Sequence, residues 1–287
     1  MESILVLTNF SPGARSAAEA AVDLASQLRN DVILLNTFIS SPISSMSQLT
    51  EWPLGDMPLN EAESRQYLEE ELAHLETNLP NDGEKFRPTI TYVQKPGSLS
   101  NNVKKLLKER DIRLVLMGGG QHDYLFGNHV RSLVEEVSCA LMVVPPGVNR
   151  LRLHHITFGT DLDKNDCKRI KWVAQVFRAL SFQLYVGHVD LANLIPDFME
   201  EDLAPAFEAE LRRINEPDIH FKKLKGGSAV DALEKFNQEV ESDLLVLTHK
   251  GRGIVWRMFN QDLSDMLLRE QKTPLLILPE QPPIRKE

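Results

Sequence analysis

The sequence predicts an α/β protein built from two repeated domains, each a doubly wound parallel sheet. Apolar runs of strand length alternate with helical stretches along the chain, which is the pattern of βαβ units. The opening segment recurs in the second half, and later segments recur in the same order. The length of 287 residues also suits about two ordinary domains.

Four pairs of segments carry the repeat. The numbering offset within the first pair is 152, and the offsets within the other three pairs are 130, 131 and 134. The offset falls by 22 after the first pair, so a segment of about that length is missing from the second copy, before its Gly-Ser turn. We predict a first domain over residues 1–147 and a second, shorter domain over residues 152–280, joined near residues 146–153. The pairs are Ile4–Ser11 with Ile156–Asp163, Gly97-Ser98 with Gly227-Ser228, Leu114–Met117 with Leu245–Thr248, and Val143–Pro145 with Ile277–Pro279.

Cap signals and hydrophobic spacing define the elements of the first copy. Ser11-Pro12 is typical of a helix N-cap followed by proline in the first turn, and small apolar residues then recur at helical spacing as far as Asn30. Asn60, with Glu63 three residues later, predicts the start of a second helix. After the opening strand from Ile4, we predict strands at 32–38, 90–93, 114–117 and 141–144, and helices at 12–30, 60–78, 98–110 and 128–137.

The second copy predicts the same order, with strands near 156–160, 182–189, 219–224, 244–248 and 275–278. Parallel βαβ crossovers are right-handed, and ligands of such sheets lie beyond the carboxyl ends of the strands, where the strand order reverses. Candidate sites are therefore expected in the loops at 8–12, 118–128, 160–163 and 249–262.

Charge and composition narrow the classes of partner. The chain has 32 basic and 41 acidic residues, a formal net charge of -9, which repels nucleic acid and anionic membrane surfaces. Its apolar runs are strand-sized and fall short of the roughly 20 residues that span a bilayer. With two cysteines and no signal-peptide pattern at Met1, we expect a protein of the reduced cytoplasm.

In this order, and twice over, these segments resemble the universal stress protein family in tandem form. Ile4–Pro12 is similar to the family's opening strand and its Asp-Phe-Ser turn, and Val115–Gly118, Gly127, Cys139 and Leu141–Pro145 carry the rest of the resemblance. The resemblance implies five-stranded sheets of order 3-2-1-4-5, of the adenine nucleotide alpha hydrolase type. It also implies pairing through the fifth strands, here as an intramolecular pseudo-dimer, and ATP binding in some members only.

The phosphate loop of ATP-binding members has the form Gly-x-x-Gly, nine residues, Gly-Ser/Thr, and it offers backbone amides at a helix N-terminus. In the first copy Gly127 falls on the last glycine, only six residues after Gly120, and Asn128 replaces the hydroxyl residue. In the second copy Asn260 replaces that glycine, and Gly251 is one of two glycines that remain. Neither loop is complete.

On the adenine side, the family's aspartate matches Asp161 in the second copy, whereas the first copy has Asn9. Val189 matches a place where a strand backbone meets adenine. Structural roles stay open, because Asp161 could cap a helix and the glycines at 118–120 could form a tight turn. The candidate nucleotide-binding residues are Asn9, Gly118, Gly120, Gly127, Asn128, Asp161, Val189 and Gly251.

Catalytic and metal motifs are not found in the sequence. His154-His155 has no further ligand at metal spacing, Cys139 and Cys167 lack the partner of a nucleophile, and no P-loop or nucleophile elbow occurs. The favoured hypothesis is a non-catalytic stress-response protein that acts through unknown protein partners, with a homodimer possible. The alternative is an ATP-binding universal stress protein with slow ATP hydrolysis; no other cofactor is expected.

Overall fold

The computed structural model describes residues 2–38, 61–79, 86–119, 130, 132–137, 139–190, 197–214, 218–226, 228–249 and 272–281. Within these residues strands and helices alternate, as the sequence predicts. The strands are β1 Ser3–Leu7, β2 Asp31–Phe38, β3 Ile90–Pro96, β4 Ile112–Gly118, β5 Leu141–Val144, β6 His155–Thr160, β7 Gln183–Asp190, β8 Asp218–Lys225, β9 Leu244–Thr248 and β10 Leu275–Leu278. The helices are α1 Pro12–Leu28, α2 Glu61–Thr77, α3 Leu99–Glu109, α4 Asp166–Val176, α5 Asp197–Leu211 and α6 Ala229–Glu239, and residues 132–136 are also helical.

All ten strands form one sheet in the order β3-β2-β1-β4-β5-β10-β9-β6-β7-β8. Each half is parallel and has the order 3-2-1-4-5 when its own strands are numbered along the chain. The two halves meet where β5 pairs antiparallel with β10. The predicted fold class is therefore confirmed, including the pairing through the fifth strands.

The internal repeat is visible in the positions of the elements. The numbering offset from β2 to β7 is 152 at both ends, the offset from α3 to α6 is 130, and the offset from β5 to β10 is 134. These are the offsets that the sequence predicts. The helix α4 has 11 residues and α1 has 17, because at the repeat offset of 152 α4 begins two positions later and ends four positions earlier. The domain limits at 147, 152 and 280 stay predictions.

Helix α1 forms where the cap signals predict it. The side chain of Ser11 accepts a hydrogen bond from the amide of Ala14 at 3.2 Å, and Pro12 occupies the first turn. The helix ends at Arg29, whose φ of 57° is left-handed. Its small buried residues let it lie close against the sheet. None of the helices in the described ranges is long and apolar enough to cross a membrane.

Two hydrophobic cores lie on opposite faces of the sheet, because side chains alternate along each strand. Ile4 and Val6 of β1 belong to the core under α1 and α2, while Leu5 and Leu7 belong to the core under α3. Both cores continue without a break into the second half, so the halves share their interior.

The antiparallel seam pairs Leu276 with Met142, and all residues of β5 and β10 are buried. Met142 and Leu276 belong to one core, and Leu141 and Ile277 belong to the other. An unpaired apolar strand is a template for aggregation, and the pairing covers both of these edges.

The linker between the halves is held by side chains from both sides. The amide of Gly147 donates to Ser16 Oγ at 3.1 Å, and the amide of Leu151 donates to Asp23 Oδ2 at 3.0 Å. On the second half, the amide of His154 donates to Asp243 Oδ2 at 2.7 Å. The linker is thus an ordered part of the fold.

We predict that Leu276→Ala lowers the free energy of unfolding by about 2 to 5 kcal/mol, since it removes a fully buried side chain from the seam. Urea unfolding followed by circular dichroism measures the loss. Leu203→Ala is the matched control, because Leu203 is 43% exposed and should change stability by less than about 0.5 kcal/mol. Equal stability of the two variants would contradict a buried seam.

Candidate functional site

The turn after the first strand has the same geometry in both halves of the chain. Thr8 Oγ1 accepts from the amide of Phe10 at 3.1 Å, and Thr160 Oγ1 accepts from the amide of Leu162 at 3.0 Å. Phe10 and Leu162 have φ of 64° and 63°, a left-handed conformation that is uncommon outside glycine. Both halves therefore place the same turn at the carboxyl ends of their central strands.

The neighbouring strand contributes one buried polar side chain to each turn. In the first half Asn36 donates to the carbonyl oxygen of Thr8 at 2.8 Å, and it accepts from Ser64 Oγ at 2.5 Å. In the second half His188, fully buried, contacts the carbonyl oxygen of Thr160 through Nδ1 at 3.0 Å. A carbonyl oxygen only accepts, so Nδ1 carries the proton in this contact. The two side chains stand at equivalent positions of the repeat.

The glycine after β4 is in close contact with the start of α1. A Cβ atom on Gly118 would lie 2.1 Å from the carbonyl carbon of Gly13, and one on Gly13 would lie 2.4 Å from the carbonyl oxygen of Gly119. Backbone atoms therefore touch between strand and helix, and no side chain fits. This contact by itself requires glycine at position 118, which is also a candidate nucleotide-binding residue.

The second half fills the corresponding region with a buried ion pair. Arg169 Nη1 lies 2.6 Å from Asp166 Oδ1, and both side chains are 1% exposed. Asp166 also accepts from Thr160 Oγ1 at 2.8 Å, and Arg169 donates to the backbone oxygen of Glu280 after β10. The helix α4 thereby ties β6 to the segment that follows β10.

Sequence reasoning missed this pair, although a signal was present. At the repeat offset of 152, Asp166 and Arg169 align with Ala14 and Ala17 of α1. Charged residues three apart on the face that carries alanine in the other copy indicate a buried pair, because that face must contact the sheet.

Three further candidate residues lie at the strand ends. Asn9 is exposed, and its Oδ1 accepts from the amide of Ser11 at 3.2 Å, so it stabilises the turn before α1. Asp161 is half-buried after β6. Val189 is buried and lies one residue beyond the last β6–β7 pair. Gly120, Gly127, Asn128 and Gly251 lie outside the described residues. A role in nucleotide binding stays a prediction for the whole candidate set.

The cysteines lie in environments that suppress reactivity. Burial raises the pKa of Cys139 to about 12. The pKa of Cys167 is raised to about 11, first by burial and then by the nearby carboxylates of Asp166 and Glu210. Both thiols are protonated at neutral pH, and a thiol is a far weaker nucleophile than a thiolate. Across the described ranges, no group of three or more metal-ligating side chains comes together.

The chain belongs to the universal stress protein family. The model of the Universal stress protein family matches residues 1–145, half of the chain, and this agrees with the strand order and the turn geometry of the first half. The family expected from the sequence motifs is thereby confirmed.

Solved structures show the same fold over both halves. A universal stress protein from Archaeoglobus fulgidus DSM 4304 is similar with a TM-score of 0.61 at 13% identity, over 96% of each chain. A functionally unknown protein from Pseudomonas aeruginosa PAO1 is similar with a TM-score of 0.55 at 15% identity, over 96% of this chain and 92% of that one. No curated protein matched in the comparison of sequences.

We predict that Gly118→Ala destabilises the protein by about 3 kcal/mol, since its Cβ would displace the backbone of α1. Thermal unfolding measures the change. The adjacent Gly119→Ala is the control, because a Cβ there meets its nearest atom at an ordinary 3.4 Å. If both variants unfold at the same temperature, the close strand–helix contact is wrong.

We predict that Arg169→Ala costs about 3 to 5 kcal/mol, because it leaves Asp166 buried without its counter-charge. Asp166→Ala/Arg169→Ala restores the alanines of the first half and should be less destabilised than the single variant. Chemical denaturation measures both, with Arg212→Ala, 78% exposed, as the near-neutral control. A double variant less stable than the single one would contradict a charge effect.

Proposed function

We propose that this member of the family is a non-catalytic stress-response protein that acts through protein partners and binds ATP weakly or not at all. Its setting would be the reduced cytoplasm, which the two cysteines without disulfides support. The fused halves would serve as a permanently paired scaffold. The partners are expected to be proteins, and further self-association of the fused chain is compatible with this role.

The main support for the proposal is that groups near the strand ends are already engaged in contacts within the fold. In the second half, Asp166 is engaged by both Thr160 and Arg169, so its carboxylate is already used within the fold. In the first half the backbone of Gly118 lies against the backbone of Gly13, so α1 fills the space where a side chain at position 118 would lie. A nucleotide site needs polar groups that point to open space, whereas the carboxylate of Asp166 accepts hydrogen bonds from within the fold.

The two cysteines also support a non-catalytic role. General acid–base catalysis uses groups whose pKa is moved toward the working pH, and nucleophilic catalysis uses activated groups. The pKa shifts of Cys139 and Cys167 go the other way, to about 12 and about 11. Activated nucleophiles would have the opposite shift.

The alternative, an ATP-binding protein with slow hydrolysis, is favoured by one observation in the first half. Asn9 is exposed at the switch point between β1 and β4, where ligands of such sheets bind. The glycine loop begins at Gly118, the last residue of β4, and β4 is the strand that pairs with β1 at this point. If ATP binds, this half is the place to test first.

We predict that titration with ATP and magnesium shows no saturable binding below roughly millimolar concentration, because two or three lost charge-assisted bonds weaken a micromolar site by that much. Isothermal titration calorimetry on the full chain provides the measurement. Tight binding that is abolished by Gly127→Val would overturn the proposal and assign the first half as the site. Tight binding abolished by Asp161→Ala alone would assign the second half.

A further inference from the structure

A cleft of about 1120 Å³ opens between the two halves, on the face of the sheet covered by α1 and α2. It is lined by residues 19–27 of α1, by the end of α2, by the linker at 149–154 and by residues 179–181 of the second half. Most of these α1 residues lie in the carboxyl-terminal half of the helix, whereas Asn9 and Gly118 lie near its amino-terminal end. Asn9, Gly118, Asp161 and Val189 do not line the cleft.

The linker presents a row of basic side chains to this cleft. Leu151 and Leu153 are 2% and 3% exposed and belong to the core. Their neighbours Arg150, Arg152 and His154 are exposed and line the cleft. Exposed and buried residues alternate here, so the three basic side chains are exposed along one short stretch of the linker, and all three line the cleft. We call these three residues the basic row.

The backbone that carries this row is held in place. Leu151 is fixed on both its polar backbone atoms, since its amide donates to Asp23 at 3.0 Å and its carbonyl oxygen accepts from Gln27 Nε2 at 2.9 Å. The amide of His154 is fixed by Asp243. Because the linker is already ordered, a ligand of the row would not have to order the backbone, and this saves binding free energy.

The carboxylates of the cleft already have partners of their own. Glu19 Oε1 lies 2.7 Å from His74 Nε2, and Asp23 accepts from the amide of Leu151 and from Gln27. Within the described residues, Arg150 and Arg152 have neither an ion pair nor a hydrogen bond from their side chains. The donors of these two guanidinium groups are therefore available to a ligand.

We propose that this cleft binds a small anion with two or more phosphate or carboxylate groups, and that Arg150 and Arg152 are its main contacts. A guanidinium group has a planar fork of donors that fits the oxygen atoms of both groups. Clefts at domain boundaries are frequent ligand sites, and this cleft is large enough to hold such an anion. The inference does not depend on whether the strand ends bind ATP.

Isothermal titration calorimetry of the full chain with pyrophosphate and, separately, with citrate tests the proposal. We expect saturable binding of one anion per chain by at least one of the two, and the stronger probe identifies the phosphate or the carboxylate class. Arg150→Ala/Arg152→Ala should weaken that binding at least tenfold. Arg212→Ala/Arg213→Ala is the matched control, because it removes two exposed arginines elsewhere and should leave the affinity within twofold.

No saturable binding of either probe would overturn the proposal, and so would binding that the first double variant leaves intact. An equal loss in both double variants would also overturn it, since that result reports net charge alone. Loss of pyrophosphate or citrate binding in Gly127→Val would also overturn the proposal, because it would assign the anion to the nucleotide loop. Circular dichroism of each variant verifies that the fold is kept.

Discussion

The antiparallel pairing of β5 with β10 is the interaction on which the rest of the molecule depends. It turns two parallel sheets of five strands into one sheet of ten and joins their hydrophobic cores on both faces. The two strands are short, so their contribution comes from complete burial more than from the number of hydrogen bonds. The ordered linker, the shared cores and the cleft between the halves all follow from this seam.

Local patterns in the sequence predicted most of this fold. The strand β5 and the strands β9 and β10 lie where apolar runs place them, and the repeat offsets reappear in the element positions. Such signals succeed because the spacing of apolar residues depends directly on which side chains face the sheet. The pairing of the fifth strands came from the family resemblance and from the need to cover an apolar edge.

The features that sequence reasoning missed depend on contacts between distant parts of the chain. Gly13 and Gly118 are far apart in sequence, and their backbone contact has no periodic signal. The link from Arg169 to Glu280 is equally remote. For Gly118, motif matching suggested a ligand contact, and the geometry adds a packing reason for the glycine. Packing and ligand binding make the same demand at such a position, namely the absence of a Cβ atom.

The two halves share a backbone turn at their strand ends but carry different side chains around it. At the strand ends, the polar partner of the central turn is Asn36 in one half and His188 in the other, and the small residues of α1 correspond to the charged pair of α4. The shared backbone turn at Phe10 and Leu162 has persisted through this change. The backbone of the repeat is thus more constant than the chemistry that it carries.

The covalent connection of the two paired halves also determines which substitutions the protein can accept. In a dimer of identical chains each substitution occurs twice, related by the two-fold axis, and a residue that suits one subunit has to suit its mate as well. Fusing the halves removes that requirement, because each position is encoded once. One half can then gain a buried charged pair while the other keeps alanine at the same positions. Because the halves are covalently joined, dilution does not separate them. The covalent linker therefore removes the two-fold symmetry of a dimer of identical chains and lets each half change its side chains separately.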